Sequence, residues 1–254
     1  MAEVDILLPV RSPAPWLDAA LAGVRDLTGP EWHLVVAIHG SGIDIRETLR
    51  ASGMPVTIVE VDDRANLAGV LNAGLASCTS RYVARLDADD IPVPDRLAVQ
   101  VAALDAEPSV AVVCSSKVII DEQGRDLGMQ LAPRDEHELR RRMRWKNVVW
   151  HPTVMFRRDV IVDLGGYDER AQHVEDYELW LRVLRRSRIQ PIARPLLAYR
   201  LHSNQVTASK VIQPAAVERV GAARIDLARA LGESTVAAAV RQRVWSARQG
   251  SRNC

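Results

Sequence analysis

Residues 86–90 read Leu-Asp-Ala-Asp-Asp and close an apolar stretch that begins at Tyr82. Three carboxylates within four residues repel one another unless a cation neutralises them, and Asp87 and Asp89 have no other neutralising partner in sequence. Hard oxygen ligands of this kind suit Mg²⁺ or Mn²⁺, which bridge protein carboxylates to substrate phosphates. Taken alone, the run is equally a solvated acidic turn, or a helix N-cap ahead of Pro92. A second acidic pair, Glu175-Asp176, opens an apolar-periodic segment. It offers a proton acceptor, or else a first helical turn whose acids favour the dipole. His202 follows Tyr-Arg-Leu, a candidate strand end, and single histidines are more often structural than ligands. His151 precedes Pro152, which holds its backbone extended; its ring either lines a site or makes a structural hydrogen bond. Trp145, Trp150 and Trp180 are apolar walls or stacking platforms, and the helical spacing of Trp180 with Tyr177 and Leu184 favours the core for that one.

These residues need elements to position them. Short apolar runs at Val4–Val10, Leu34–Ile38, Val56–Val61 and Tyr82–Leu86 predict strands. Helical spacing predicts helices over Trp16–Leu27, Ile43–Ala51, Asn66–Ser77 and Pro94–Ala106, with Pro94 in a first turn. Strands and helices alternating at this spacing give an open, doubly wound α/β sheet covered on both faces. In such sheets ligands gather outside the carboxyl ends of the strands, where the acidic run falls. The pattern then changes to a β-hairpin (110–120 and 125–131 about a Gly-containing turn), a helix over Glu136–Arg144, a strand near Thr153–Phe156 and a helix over Val174–Arg186. Residues 211–248 read as one or two Ala-rich helices.

Composition narrows the class. The chain has 254 residues, 48% hydrophobic and 26% charged, enough for a buried core and unlike a disordered or fibrous protein. The formal charge of +1 hides a polarity: residues 1–133 carry 10 Lys+Arg against 19 Asp+Glu, and residues 134–254 carry 23 against 13. Cys78, Cys114 and Cys254 are an odd number without metal-ligand spacing, which argues against a disulfide framework and for a reducing compartment. No apolar run approaches the ~18 residues that span a bilayer, and the first ten residues read as a strand, not a signal peptide. A cytoplasmic protein is the expectation. A dinucleotide-binding dehydrogenase would place Gly-x-Gly-x-x-Gly after the first strand, where Pro-Val-Arg-Ser-Pro stands. A phosphatase of the haloacid dehalogenase type would place its acidic motif on the first strand, and here four strands lead to it. No nucleic-acid-binding module accompanies the arginines, so no nucleic-acid partner is expected.

Arg-Tyr-Val-Ala-Arg-Leu-Asp-Ala-Asp-Asp (81–90) with Ile-Pro-Val-Pro-Asp-Arg-Leu behind it resembles the metal-site segment of family 2 glycosyltransferases, which have the GT-A fold. Leu7-Leu8-Pro9-Val10 is similar to their opening strand and turn, and residues 66–76 (NLAGVLNAGLA) to the helix beside the nucleotide. Residues 151–169 resemble the segment before their acceptor site, 174–184 (VEDYELWLRVL) their Glu-Asp helix, and 199–207 (YRLHSNQVT) the strand and loop at the diphosphate. Together these segments run from about residue 4 to 207 in the family's order, and the combination is specific where each piece is weak. The resemblance implies an α/β GT-A-type domain over 1–207, with a nucleotide-binding half to about 120 and an acceptor-side half to 207, followed by a helical extension over 208–254.

The resemblance also implies a reaction: inverting transfer of a sugar from a nucleotide diphosphate to an acceptor hydroxyl, with Mn²⁺ or Mg²⁺ as cofactor. Asp89 and His202 would be metal ligands, Pro9, Val10, Arg11, His39, Asn66, Asp87 and Ala88 would hold the nucleotide, Asp176 would be the base, and Glu175, His151 and Trp180 would lie on the acceptor side. Arg11 and His39 replace the family's usual aromatic and Asp at the nucleobase. Arg can stack on a ring and neutral His can accept a hydrogen bond, so the base is open: a UDP-sugar first, dTDP- or GDP-sugars next. A catalytically silent binding module of the same fold is the rival reading. The acceptor would be a glycan, a lipid-linked group or a small molecule. Arg140, Arg141, Arg142, Arg144 and Lys146, beside Trp145 and Trp150, are either a solvated helix face or a peripheral contact with an anionic membrane.

Overall fold

The computed structural model describes residues 2–11, 14–40, 43–203, 205 and 212–250. Its first-half apolar runs form the parallel strands β1 (Val4–Arg11), β2 (Trp32–His39), β3 (Val56–Val61) and β4 (Tyr82–Arg85). Alternation along β1 divides the core into two layers. Val4, Ile6, Leu8 and Val10 join Leu34, Val36 and Ile38 of β2 beneath α1 (Leu17–Arg25), α2 (Ile43–Ala51) and α4 (Arg96–Ala106). Leu7 and Val35 point the other way, towards Leu71 and Leu75 of α3 (Leu67–Ser77). A strand buried on both faces needs apolar residues at every position, which is why β1 reads as a run and not as an alternation.

The sheet order is β3-β2-β1-β4-β8-β6-β9-β5, with β5 (Ile91–Pro92), β6 (Val110–Ile120), β8 (Met155–Arg157) and β9 (Arg188–Arg200), and β7 (Asp126–Gln130) pairs with β6. From β1 the chain winds outward to β2 and β3, then returns to place β4 on the other side of β1. That reversal opens a crevice at the carboxyl ends of β1 and β4. β8 then runs antiparallel between β4 and β6, and β6 runs parallel to β9.

The residue pattern does not announce β5, α6 (Arg158–Asp163) or the first ten residues of β9. Pro191 and Pro195 hide β9. Pro195 falls where pairing with β6 shifts register between Ser115 and Ser116, and Pro191 lies where β9 has no strand on its far side. Those are the places a strand tolerates proline. Pro94 also lies outside its expected helix, since α4 starts at Arg96.

The remaining helices are α5 (Glu136–Met143), α7 (Glu175–Arg186), α8 (Pro214–Ala230) and α9 (Thr235–Gly250). Ala216, Val220, Ala223 and Leu227 of α8 share the core of α7, and Arg224 donates to the Tyr177 hydroxyl at 2.7 Å and to the Trp145 carbonyl at 2.9 Å.

Gly74 sets how closely α3 approaches the sheet. A methyl there would overlap Leu7 Cδ1 and lie 3.3 Å from Ala37 Cβ. Overpacking of ~1–3 kcal/mol should exceed the ~1 kcal/mol that Ala gains over Gly in a helix. Gly74→Ala is therefore expected to lower the urea midpoint at unchanged m value; an unchanged or higher midpoint would show that the helix can slide.

Candidate active site

Three strand ends meet at the crevice. Arg11 closes β1 and His39 closes β2, paired in register. Arg11 is exposed. His39 Nε2 lies 2.9 Å from the Asp63 carbonyl. A carbonyl can only accept, so this bond places the proton on Nε2 and makes Nδ1 of the neutral ring an acceptor. Pro9 and Val10 sit one turn of the pleat below. Asn66 caps α3, accepting from Gly69 N at 3.1 Å, and donates to the Glu169 carbonyl at 2.7 Å.

β4 ends in the acidic loop. Ligand oxygens of Asp87, Asp89 and Asp90 lie within 4.8 Å of one another. The loop is not left bare. Arg85, buried on β4, pairs with Asp87, and His202 Nε2 meets Asp89 Oδ2 at 2.8 Å. Trp16 packs on the His202 ring with centroids 4.2 Å apart. Asp90 is wholly buried and accepts from the backbone N–H of Arg200 at 2.9 Å. The Arg200 guanidinium donates to the carbonyls of Asp89, Asp121 and Glu122, each at 3.0 Å. Burial, then the charge of Asp87, raises the Asp89 and Asp90 carboxyls above the usual range. Asp90 Oδ2 and His202 Nδ1 are buried without a hydrogen-bond partner among the described residues. Unspent hard oxygens beside a histidine fit a divalent cation.

Asp176 stands in the first turn of α7. One carboxylate oxygen accepts from Asn147 Nδ2 at 2.8 Å and the other from Tyr177 N at 2.7 Å. Its side chain is partly exposed, and Glu175 beside it is buried. Trp150, partly exposed, lies under the buried Lys117 ammonium at 5.1 Å.

Residues 5–165 match the family model described as Glycosyl transferase family 2. The chain belongs to glycosyl transferase family 2. It is 34% identical over 134 residues to the amylovoran biosynthesis glycosyltransferase AmsE of Erwinia amylovora, a match that covers 53% of this chain and only 50% of that protein. The O-antigen biosynthesis glycosyltransferase WbnJ of Escherichia coli is 25% identical over 218 residues, 81% of this chain and 82% of the relative. Residues 1–349 of S. aureus TarS, solved with UDP-GlcNAc, superpose with a TM-score of 0.71 at 14% identity, over 90% of this chain and 71% of that one. The mannosyltransferase PcManGT of Pyrobaculum calidifontis, solved with GDP-Man and Mn²⁺, gives 0.62 at 18% identity, over 98% and 84%. At those identities the superpositions establish the fold: it is the GT-A-type α/β fold that the motifs resemble.

Three expectations for this family 2 glycosyltransferase need correction. The acidic loop does not depend on a metal alone for neutralisation, because the Arg85 guanidinium already faces Asp87. Trp180 cannot contact an acceptor: it is fully buried, as its spacing with Tyr177 and Leu184 requires. The basic run is not an open landing surface. Arg140 pairs with Glu136, Arg142 with Glu138 and Arg144 with Glu233, which leaves Arg141 and Lys146 exposed beside Trp145. His151 is buried, and its Nε2 bonds the Tyr167 hydroxyl at 2.9 Å, so of its two readings the hydrogen bond is the one observed.

Sequence reasoning missed Arg85, Trp16, Lys117, Asn147 and Arg200. Arg85 carried a signal, a charge in a buried strand one residue before the acidic loop. Asn147 carried none, since 29 residues separate it from Asp176.

Raised carboxyl pKa values have a measurable consequence. A metal must displace whatever protons Asp89 and Asp90 retain, so Mn²⁺ affinity is expected to fall as pH drops through their raised range, with proton release on binding. Calorimetry at two pH values in buffers of different ionisation enthalpy checks this. Binding that ignores pH across that raised range would count against these carboxylates as the ligands.

Proposed function

We propose that the chain transfers a sugar from a nucleotide diphosphate to an acceptor hydroxyl, with inversion, in the assembly of a cell-envelope polysaccharide or glycolipid. One observation carries the reading. The acidic loop with His202 stands at the carboxyl ends of the parallel strands, and the same chain carries an Asp176 whose two oxygens are oriented by Asn147 and Tyr177. The names of the amylovoran and O-antigen relatives support the cell-envelope assignment.

Arg11 and the Nδ1 of His39 take the nucleobase, at the ends of β1 and β2. Pro9 and Val10 form the floor, and Asp87 and Ala88 face the ribose. Asn66 acts by fixing the start of α3. Asp89 and His202, with the neighbouring carboxylates, would hold Mn²⁺ or Mg²⁺, which when bound would supply positive charge at the leaving diphosphate. Asp176 takes the acceptor hydroxyl's proton as that oxygen attacks the anomeric carbon from the face opposite the leaving group. Direct displacement by a single nucleophile inverts the centre. The asparagine at Asp176 keeps the accepting lone pair aimed, the positioning on which general-base catalysis depends.

UDP-sugars are the first choice of donor, with dTDP- and GDP-sugars next. Bound UDP-GlcNAc and GDP-Man in the superposed structures support a nucleotide-sugar donor. No helix among the described residues is long and apolar enough to cross a membrane. The peripheral contact with a lipid-borne acceptor at the cytoplasmic face would rest on Trp145, Arg141 and Lys146, which are exposed.

EDTA is expected to abolish turnover of the sugar nucleotide and Mn²⁺ to restore it; undiminished turnover in metal-free buffer would remove the cation from the mechanism. Asp176→Asn should lower turnover by ~10²–10⁴ while nucleotide diphosphate binding persists. If turnover is unchanged, the base lies elsewhere. Alanine at both Arg11 and His39 should weaken nucleoside diphosphate binding in calorimetry more than binding of Mn²⁺-pyrophosphate. Equal losses would remove the base-specific role.

A further inference from the structure

Four cations are buried around the acidic loop: Arg85, Arg96, Lys117 and Arg200. Three of them are matched by oxygen. Arg85 faces Asp87, Arg96 donates to Gln100 Oε1 and to the carbonyls of Arg85 and Val154, and Arg200 donates to three carbonyls. Lys117 is different. It projects from β6 with only 4% of its surface exposed, and its ammonium makes no ion pair or hydrogen bond among the described residues. Its partners are two π faces, Tyr199 at 3.3 Å and Trp150 at 5.1 Å. Burial pushes the ammonium down to about 8, against the opposing pull of Asp90 and Asp87. Its nitrogen is not sealed off as the Arg85 Nε is.

An ammonium carries three donors, and two rings leave at least one unspent. Removing it from water without an oxygen partner is costly, and a ligand that supplies one recovers that cost. A neutral hydroxyl supplies a weak partner. An anion supplies a charge-assisted one, roughly twice as strong.

Place decides which anion. Tyr199 precedes Arg200, which holds the acidic loop, whereas Trp150 adjoins the Asn147–Asp176 side. Lys117 thus lies between a ring next to Arg200 and a ring three residues from Asn147, within electrostatic reach of Asp90 and Asp87. The nucleobase end, at Arg11 and His39, belongs to β1 and β2 on the far side of β4 and β8 from β6. Under the glycosyl-transfer reading, on which this inference rests, the groups that meet between the loop and Asp176 are sugars.

We propose that Lys117 selects a sugar bearing a carboxylate, a uronic acid or its equivalent, carried either by the donor or by the terminal sugar of the acceptor. Tyr199 and Trp150 hold the ammonium in place, so the selection is made by a fixed charge and not by a mobile side chain.

The test is equilibrium binding to the full chain with Mn²⁺, using matched pairs that differ only in the acid. The donor arm compares UDP-glucose with UDP-glucuronate and GDP-mannose with GDP-mannuronate. The acceptor arm compares p-nitrophenyl glucoside with the glucuronide in the presence of UDP. In one arm the acid should bind about 10-fold tighter or more, the effect of a hydrogen bond to a charged group, and that arm identifies the carrier. Lys117→Met should erase the preference while leaving UDP and the neutral sugar within about twofold of wild type. Lys117→Arg should keep it. Equal binding of acid and neutral partners in both arms of the wild type overturns the proposal, whether or not the methionine variant folds. So does a preference that survives in Lys117→Met, or a loss of UDP binding that shows the ammonium serving the diphosphate. Retained UDP or GDP binding without acid preference overturns the assignment of Lys117 alone. Absence of any nucleotide diphosphate binding overturns the glycosyl-transfer reading along with it.

Discussion

Charge buried at the end of β4 is the constraint from which the rest of the site follows. Asp90 is wholly enclosed, burial raises its pKa, and only one of its two oxygens has a hydrogen-bond partner among the described residues. The backbone N–H of Arg200 meets it from β9, and the guanidinium of the same residue holds the loop carbonyl of Asp89 and the turn carbonyls of Asp121 and Glu122. Three segments far apart in the chain are therefore fixed relative to one another by one side chain. Buried charge of this kind is weak support for stability, because desolvation offsets much of the attraction. Its effect here is geometric: the ligand oxygens of the acidic loop have one arrangement available to them.

A second set of bonds fixes α3 relative to α7. Asn72 on α3 uses both ends of its amide on Tyr167, donating to the carbonyl at 2.9 Å and accepting from the N–H at 2.8 Å. Arg182 on α7 donates to the carbonyls of Leu164 and Gly166 and pairs with Glu178. The loop between them turns at Gly165 and Gly166, both at positive φ. A side chain at Gly166 would also collide with Asn72 Oδ1, at 2.6 Å. The two glycines let one loop be gripped from both helices at once.

Much of this was legible in the residues, for physical reasons that differ by element. Runs such as Val4–Val10 declare central strands because both faces are covered, and the acidic loop declares itself because like charges rarely crowd without cause. The partners of those acids are another matter. Arg85 lies two residues from Asp87, but His202 and Asp89 are 113 positions apart, and no spacing rule connects them. The basic run misled for the same reason. Its acids sit one helical turn earlier, at Glu136 and Glu138, or on another helix, at Glu233. β9 stayed hidden because proline is a good breaker signal except on an edge or at a bulge, and β9 uses both exceptions.

The strand order also governs the molecule while it is being made. β4 has β1 on one side, but its other neighbour, β8, is synthesised only at residues 155–157, and β6 lacks β9 until residue 188 has appeared. During synthesis, then, Val110–Cys114 of β6 present an apolar strand with unpaired edges, and chains in that condition associate with one another. His202 emerges last of the site residues, so a truncated or stalled product would hold a nearly complete sheet with an unfinished centre. For this chain, the interval between residues 120 and 200 is when a chaperone would matter most.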